Sequence, residues 1–308
     1  MNMTTSIAFL GLGHMGGPMA ANLVKAGFAV TGFDLMPAAI IAARASGLTV
    51  SDTAADAVAG ADIVITMFQS GRQVIEAYTG SVDAPGLLSV AKPGTVFIDS
   101  STIAVDDARL AHDLAVAAGH INVDAPVSGG VGGATAGTLA FMVGATEEDF
   151  AFVQPILEAM GARIVHCGAP GAGQAAKVCN NLILGISMIA VSEAFVLGEK
   201  LGLTHQALYD VASNASGQCW ALTTNCPVPG PVPASPANRD YLPGFSSALM
   251  AKDLGLAEQA FESTGVHAEI GTLASAIYRK FAGGEGANLD FSAIVNDIRS
   301  QSTAKEAS

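Results

Sequence analysis

Positive charge is scarce in this chain. Across 308 residues, Lys and Arg number 14 against 27 Asp and Glu, for a net charge of −13. A surface of that sign repels phosphate backbones and anionic headgroups, so neither nucleic acid nor a membrane is expected as a partner. Aromatic residues are also few, at 6% with a single Trp, so the core has to be built from Ala, Val, Ile and Leu. The four cysteines, Cys167, Cys179, Cys219 and Cys226, show no C-x-x-C spacing. That argues against a zinc knuckle or a disulfide framework, fits a reducing cytosol, and reads the thiols as small buried hydrophobes. The six histidines are scattered without an i, i+4 pair, and no metal site is expected. No targeting segment precedes the strand-like run at Ile7, so a cytoplasmic protein is expected. The most apolar stretch, Leu182 to Leu197, is broken by Ser187, Ser192 and Glu193. It reads as a core helix that falls short of a bilayer span.

What the chain does have is apolar residues, half of the total, and 35 glycines. In the first half, short β-branched runs alternate with helical patterns. Strands are expected at Ile7–Leu10, Val30–Phe33, Ile63–Thr66, Val96–Asp99, Ile121–Asp124, Leu139–Val143 and Arg163–Val165. Helices are expected at Met15–Ala26, Pro37–Ala45, Asp107–Ala118 and Glu147–Met160. Continuous apolar strands between helices imply a parallel sheet covered on both faces, a doubly wound α/β domain. After Gly168 the pattern is helical only, beginning with a long helix from Gly173 to Lys200. The expected organisation is an α/β sheet domain over residues 1–166 and an all-α domain over 167–308, with the long helix lining a cleft. Cys226 to Pro243 is Pro-rich and aperiodic, and its length suggests a lid or covering loop.

Gly11-Leu12-Gly13-His14-Met15-Gly16 follows the first strand and opens a helix. The first glycine permits a tight turn, the second lets backbone approach a pyrophosphate, and the third lets helix and strand pack closely. Asp34 ends the second strand, where a ribose-binding acid belongs. This is a Rossmann-type dinucleotide signature; read alone, it is also compatible with a structural glycine turn. A carboxylate at Asp34 accepts ribose hydroxyls and repels a 2′-phosphate, and Leu35, Met36 and Pro37 supply no Arg, so NAD is expected over NADP. Lys177, among Ala, Val and Cys, is the candidate general base, with Asn181 on the same helical face. Spacing alone leaves it equally a lysine snorkelling to solvent. The glycine-rich block Asp124 to Gly133 could hold a substrate carboxylate through Ser128 and its N–H groups, or be a flexible turn.

These blocks, together with Asp99-Ser100-Ser101-Thr102 and the run Gly244-Phe245 through Leu256, resemble the β-hydroxyacid dehydrogenase family over nearly the whole chain. Within it they resemble the members that oxidise 3-hydroxyisobutyrate to methylmalonate semialdehyde in valine degradation. The resemblance implies that Lys177 is the catalytic lysine and that Asn181 orients substrate. It implies that Ser128, Gly129 and Gly130 hold the carboxylate and that Trp220 and Phe245 close the substrate pocket. Thr102, Lys252 and the loop at Phe68-Gln69 become cofactor contacts; the family usually has Leu-Pro where this chain has Phe68-Gln69. A homo-oligomer, dimer or tetramer, is expected from the apolar second half. Two other readings stay open: an enzyme for another short 3-hydroxy acid, of the tartronate or succinic semialdehyde class, and a non-catalytic NAD-binding module.

Overall fold

The computed structural model describes residues 5–304 apart from residue 83. The chain divides into two compact units, Met1–Lys177 and Val178–Ser308. This divide falls later than the expected 166/167 boundary, because the first turn of the long helix is fastened to the sheet.

The first unit contains β1 (Ser6–Leu10), β2 (Ala29–Phe33), β3 (Thr49–Val50), β4 (Ile63–Thr66), β5 (Val96–Asp99), β6 (Ile121–Asp124), β7 (Val127–Ser128), β8 (Leu139–Gly144) and β9 (Gly161–Gly168). They form one sheet in the order β3-β2-β1-β4-β5-β6-β8-β7, with β9 also paired to β8. β1 to β6 run parallel; β8 is antiparallel to β6 and β7 and parallel to β9. Alternation along the strands explains the two covered faces. Ile7, Phe9, Ile63, Ile65, Val96 and Ile98 enter one core, whereas Ala8, Leu10, Val64 and Phe97 enter the other. This is the doubly wound arrangement expected from the apolar runs.

The carboxyl ends of the central strands are aligned. Phe33 pairs with Leu10, Leu10 with Thr66, Thr66 with Asp99, and Asp99 with Asp124. Everything that follows this row emerges on one edge of the sheet, where ligands of open parallel sheets bind.

Periodicity alone does not disclose the helices Ala54–Val58 and Gly71–Thr79. Their signals are caps: the Thr53 hydroxyl accepts from Asp56 N at 3.0 Å and the Ser70 hydroxyl from Gln73 N at 3.4 Å, which satisfies donors at each helix start. The glycine-rich block after Asp124 also holds more than a turn. It forms β7 and then the helix Gly130–Ala136, pinned where Asn22 Nδ2 donates to Ala134 O at 2.7 Å.

The long helix runs Ala172–Lys200. By length and composition it could cross a membrane, which corrects the expectation that its apolar stretch is too short. Met188, Val191, Phe195 and Val196 are nevertheless core residues of the second unit, so it serves as a core helix. The rest of that unit is helical among the described residues, with helices His205–Ala212, Trp220–Thr223, Ser247–Thr264, Glu269–Ala282 and Ile294–Ala304.

The Pro-rich segment is tied into this core. Cys226 and Val228 are buried, Tyr241 donates to Pro227 O at 2.9 Å, and Asn238 accepts from Gly230 N at 2.9 Å. Buried Asp290 gathers its end, accepting from Asn225 Nδ2, Gly244 N and Phe245 N at 3.1, 3.1 and 3.2 Å. The cysteines are less hidden than expected. All four are free; only Cys226 is buried, and Cys179 is exposed, because it lies on an outward face of the long helix.

Asp124, at the end of β6, caps the long helix from the sheet. Its oxygens accept from Gly171 N at 2.6 Å and Gln174 N at 2.9 Å. Burial pushes its carboxyl up to about 6; the two backbone N–H groups pull the other way, and the nearby Asp99 carboxylate adds to the rise. The folded state therefore holds this proton more tightly than the unfolded chain. Stability from this group is fully present below about pH 4 and lost as pH rises to about 6. The stability of the parent relative to Asp124→Asn, measured by urea unfolding, should accordingly fall by about 1–3 kcal/mol between pH 4 and 7. A pH-independent difference would show that the carboxyl does not titrate in that window.

Candidate active site

The glycine loop leaves β1 at the aligned edge. Gly11 has φ +92°, and a Cβ there would lie 2.4 Å from Met67 O. A Cβ on Gly16 would lie 1.8 Å from Gly11 O, whereas one on Gly13 would meet nothing within 4 Å. Turn, close packing and open approach are thus divided among the three as a dinucleotide loop requires. The following helix, Gly16–Lys25, has no side-chain cap at Met15, so its first N–H groups suit an anion. His14 is exposed and Leu12 buried. Asp34 is anchored beside the loop: its Oδ2 accepts from Leu12 N at 2.6 Å and its Oδ1 from Met36 N at 2.7 Å. Loop and acid together fit a dinucleotide.

The loop after β4 is held from β5. Asp99 Oδ1 accepts from Thr66 Oγ1 at 2.8 Å and from Ser101 Oγ at 2.6 Å. With its proton so committed, Ser101 Oγ accepts from Phe68 N at 2.8 Å. Gln69 N donates to Gln73 Oε1 at 3.0 Å, a bond that a proline at this position could not make. The departure at Phe68-Gln69 therefore has its own local support. Thr102 follows directly, half-buried.

Gln174 ties the long helix to the same loop. Its Nε2 donates to Ser101 O at 2.7 Å, and its Oε1 accepts from Ile103 N at 3.2 Å. Lys177, three residues on, shares that helical face and is 7% exposed. It is the last residue of the sheet-bearing unit. Ser128 is half-buried at the end of β7. Gly129 and Gly130 follow with φ of 133° and 61°, a left-handed pair that favours glycine. Among the described residues, no cluster of His, Cys, Asp and Glu could hold a metal.

In the second unit, Asn181 Nδ2 donates to the Asp253 carboxylate, and Asn180 Nδ2 donates to Asn181 Oδ1 at 2.9 Å. Lys252 adjoins Asp253 on the helix Ser247–Thr264 and is half-buried. Trp220 is 52% exposed. Phe245 packs edge-on against Phe291 with ring centroids 5.8 Å apart. The sequence alone assigns no role to Ser101 or Gln174. For Gln174 the signal was available, since it precedes Lys177 by one helical turn.

A carboxylate anchored as Asp34 is would accept ribose hydroxyls and repel a 2′-phosphate. Asp34→Asn should narrow the preference for NADH over NADPH, chiefly in affinity, as read by fluorescence titration. Equal affinities in the unmodified protein would contradict this role.

Two family models cover the chain. Residues 6–168 match the NAD binding domain of 6-phosphogluconate dehydrogenase, and residues 171–298 match the NAD-binding domain of NADP-dependent 3-hydroxyisobutyrate dehydrogenase. A probable 3-hydroxyisobutyrate dehydrogenase from Mycobacterium tuberculosis strain H37Rv is 56% identical over 300 residues, 97% of this chain and 100% of the relative. An NAD-dependent L-serine dehydrogenase from Pseudomonas aeruginosa is 46% identical, over 94% of this chain and 96% of the relative. A solved structure of Mycobacterium tuberculosis 3-hydroxyisobutyrate dehydrogenase with L-serine superposes with a TM-score of 0.92 at 57% identity, covering 96% of this chain and 99% of that one. With the glycine loop, Asp34 and Lys177 in place, the chain belongs to the β-hydroxyacid dehydrogenase family, as an NAD-dependent oxidoreductase acting on CH–OH donors.

Proposed function

We propose that the enzyme oxidises the primary alcohol of 3-hydroxyisobutyrate to methylmalonate semialdehyde, with Lys177 as general base. The observation that carries this reading is Lys177 itself. It is the only buried Lys or Arg among the described residues, on a turn fastened to the edge where the cofactor loops emerge. Bound NAD supplies the hydride acceptor. Neutral Lys177 takes the hydroxyl proton at Nζ; as ammonium it returns that proton to the aldehyde in reverse. Ser128 Oγ and the N–H groups of Gly129 and Gly130 hold the carboxylate. Asn181, Trp220 and Phe245 keep the substrate contacts, and Thr102 and Lys252 the cofactor contacts, that the family resemblance gives them.

L-serine is the second reading, supported by the relative named for it and by the solved relative that carries it. Serine and 3-hydroxyisobutyrate share the primary alcohol and carboxylate, and differ by ammonium against methyl. The apolar Trp220 and Phe245 favour the methyl. We place the activity in cytosolic valine degradation, in line with four free thiols. A homo-oligomer is proposed from the apolar groove lined by Ala190, Ala194, Leu208, Ala212 and Leu222, beside the exposed Leu197 and Val211.

If Ser128 and its glycines grip the carboxylate in ground and transition states alike, the methyl ester of 3-hydroxyisobutyrate should lose kcat/KM mainly through KM. Comparable efficiency for acid and ester would reduce the segment to a turn. Assaying L-serine, glycerate and 4-hydroxybutyrate alongside ranks the alternative substrates.

General acid–base help is worth about 10²–10⁴-fold, so Lys177→Ala should lower kcat by that order and leave NADH binding nearly intact. Oxidation by the parent should rise with pH along a basic limb that the variant lacks. Lys177→Arg should not restore it, because guanidinium keeps its proton. Near-parental turnover by a folded, NADH-binding Lys177→Ala protein would overturn the mechanism.

A further inference from the structure

We propose that Gln174 is the positioning residue for Lys177, tying the helical turn that bears the amine to the peptide that holds the cofactor-contact loop. The inference rests on the reading of Lys177 as the base. Gln174 is fully buried, and both ends of its amide are engaged in a way that fixes their orientation. Nε2 faces a carbonyl, Ser101 O, and Oε1 faces an N–H, that of Ile103. A flipped amide would set oxygen against oxygen and N–H against N–H. Its main-chain N–H adds a third tie, to Asp124 Oδ2 at 2.9 Å. Residues Gly171 to Gln174 are therefore held from β5 and β6 at once.

Ser101 is the other half of the device. Its Oγ receives Phe68 N–H while its carbonyl receives the Gln174 amide. The loop after β4 and the turn before Lys177 thus share one anchoring residue. A base has to sit within hydrogen-bond reach of the proton it removes, and a misplacement of about 1 Å can cost on the order of 10²-fold in rate. Gln174 touches neither the proton nor the reacting carbon in this account; it acts only through the placement of Lys177.

The test compares the parent, Gln174→Leu, Lys177→Ala and the double variant, with 3-hydroxyisobutyrate and NAD as substrates. NADH titration by fluorescence counts the folded, cofactor-competent sites, and kcat is expressed per site. Loss of fold then removes sites and leaves the rate per site unchanged. The expected result is that Gln174→Leu lowers kcat per site by about tenfold or more, with NADH affinity and substrate KM close to the parent. In the Lys177→Ala background, the Gln174→Leu change should cost no further rate, because the group it places is gone. Should Gln174→Leu fail to fold, Gln174→Glu keeps the acceptor for Ile103 N–H and loses the donor to Ser101; a reduced rate per site is expected there too. Parental rates per site in these variants, or a full additional loss in the Lys177→Ala background, would overturn the proposal. An active Lys177→Ala protein would instead overturn the reading of the base.

Discussion

A buried carboxylate at the end of β6 sets the position of the first turn of the long helix. Asp124 offers acceptor oxygens where a helix start leaves N–H groups unpaired, and the helix dipole favours negative charge at that end. The neighbouring sequence has to make room for it. A Cβ at Gly144 would fall 2.2 Å from Asp124 Oδ1, and one at Gly173 would fall 2.8 Å from Asp124 Oδ2 and 2.3 Å from Met142 O. The glycines around Lys177 thus answer a packing constraint as much as a chemical one. Once the turn is seated, Gln174 reaches the loop after β5, and Lys177 follows at the edge that carries the glycine loop.

The helical unit solves a similar problem with a second carboxylate. Asp290 is buried, and besides the backbone of Gly244 and Phe245 it receives Ser292 Oγ at 2.7 Å. An ionised carboxylate only accepts, and its two oxygens can serve several donors together. Irregular chain has few ladder partners for its N–H groups, and this carboxylate supplies acceptors for two of them, at Gly244 and Phe245, just past the Pro-rich segment.

Much of this was legible in the sequence. The apolar runs placed β1, β2, β4, β5 and β6 to within a residue, whereas two-residue β3 had no run to show and β9 extends beyond the expected Arg163–Val165 to Gly161–Gly168. The glycine loop and Asp34 were legible because their spacing follows from backbone geometry. Besides the short helices betrayed only by their caps, other features were not. The helix Gly130–Ala136 hides behind glycines whose propensity argues against it, and it exists because tertiary contacts such as that from Asn22 hold it. The unit boundary near Lys177 depends on hydrogen bonds between residues far apart in sequence, which no local pattern records. The ties made by Ser101 and Gln174 are likewise long-range: the sequence shows Gln174 one helical turn before Lys177, and only three-dimensional pairing shows what it bonds.

The alignment of the strand ends has a consequence for the other side of the sheet. The chain enters β2, β5 and β6 through turns at Gly27, Gly94 and Gly119, where a Cβ would meet no atom within 4 Å. Those turns lie a strand's length from Asp34, Ser100 and Ala125, roughly 13–17 Å at about 3.3 Å per residue. One rim of the sheet therefore carries the glycine loop, Asp34 and the turn before Lys177, and these open turns lie at the other. A fluorescent reporter domain or an immobilisation tag spliced into these open turns would enter the chain a strand's length from the glycine loop and Asp34, which makes this rim the natural handle for tethering the protein to a surface.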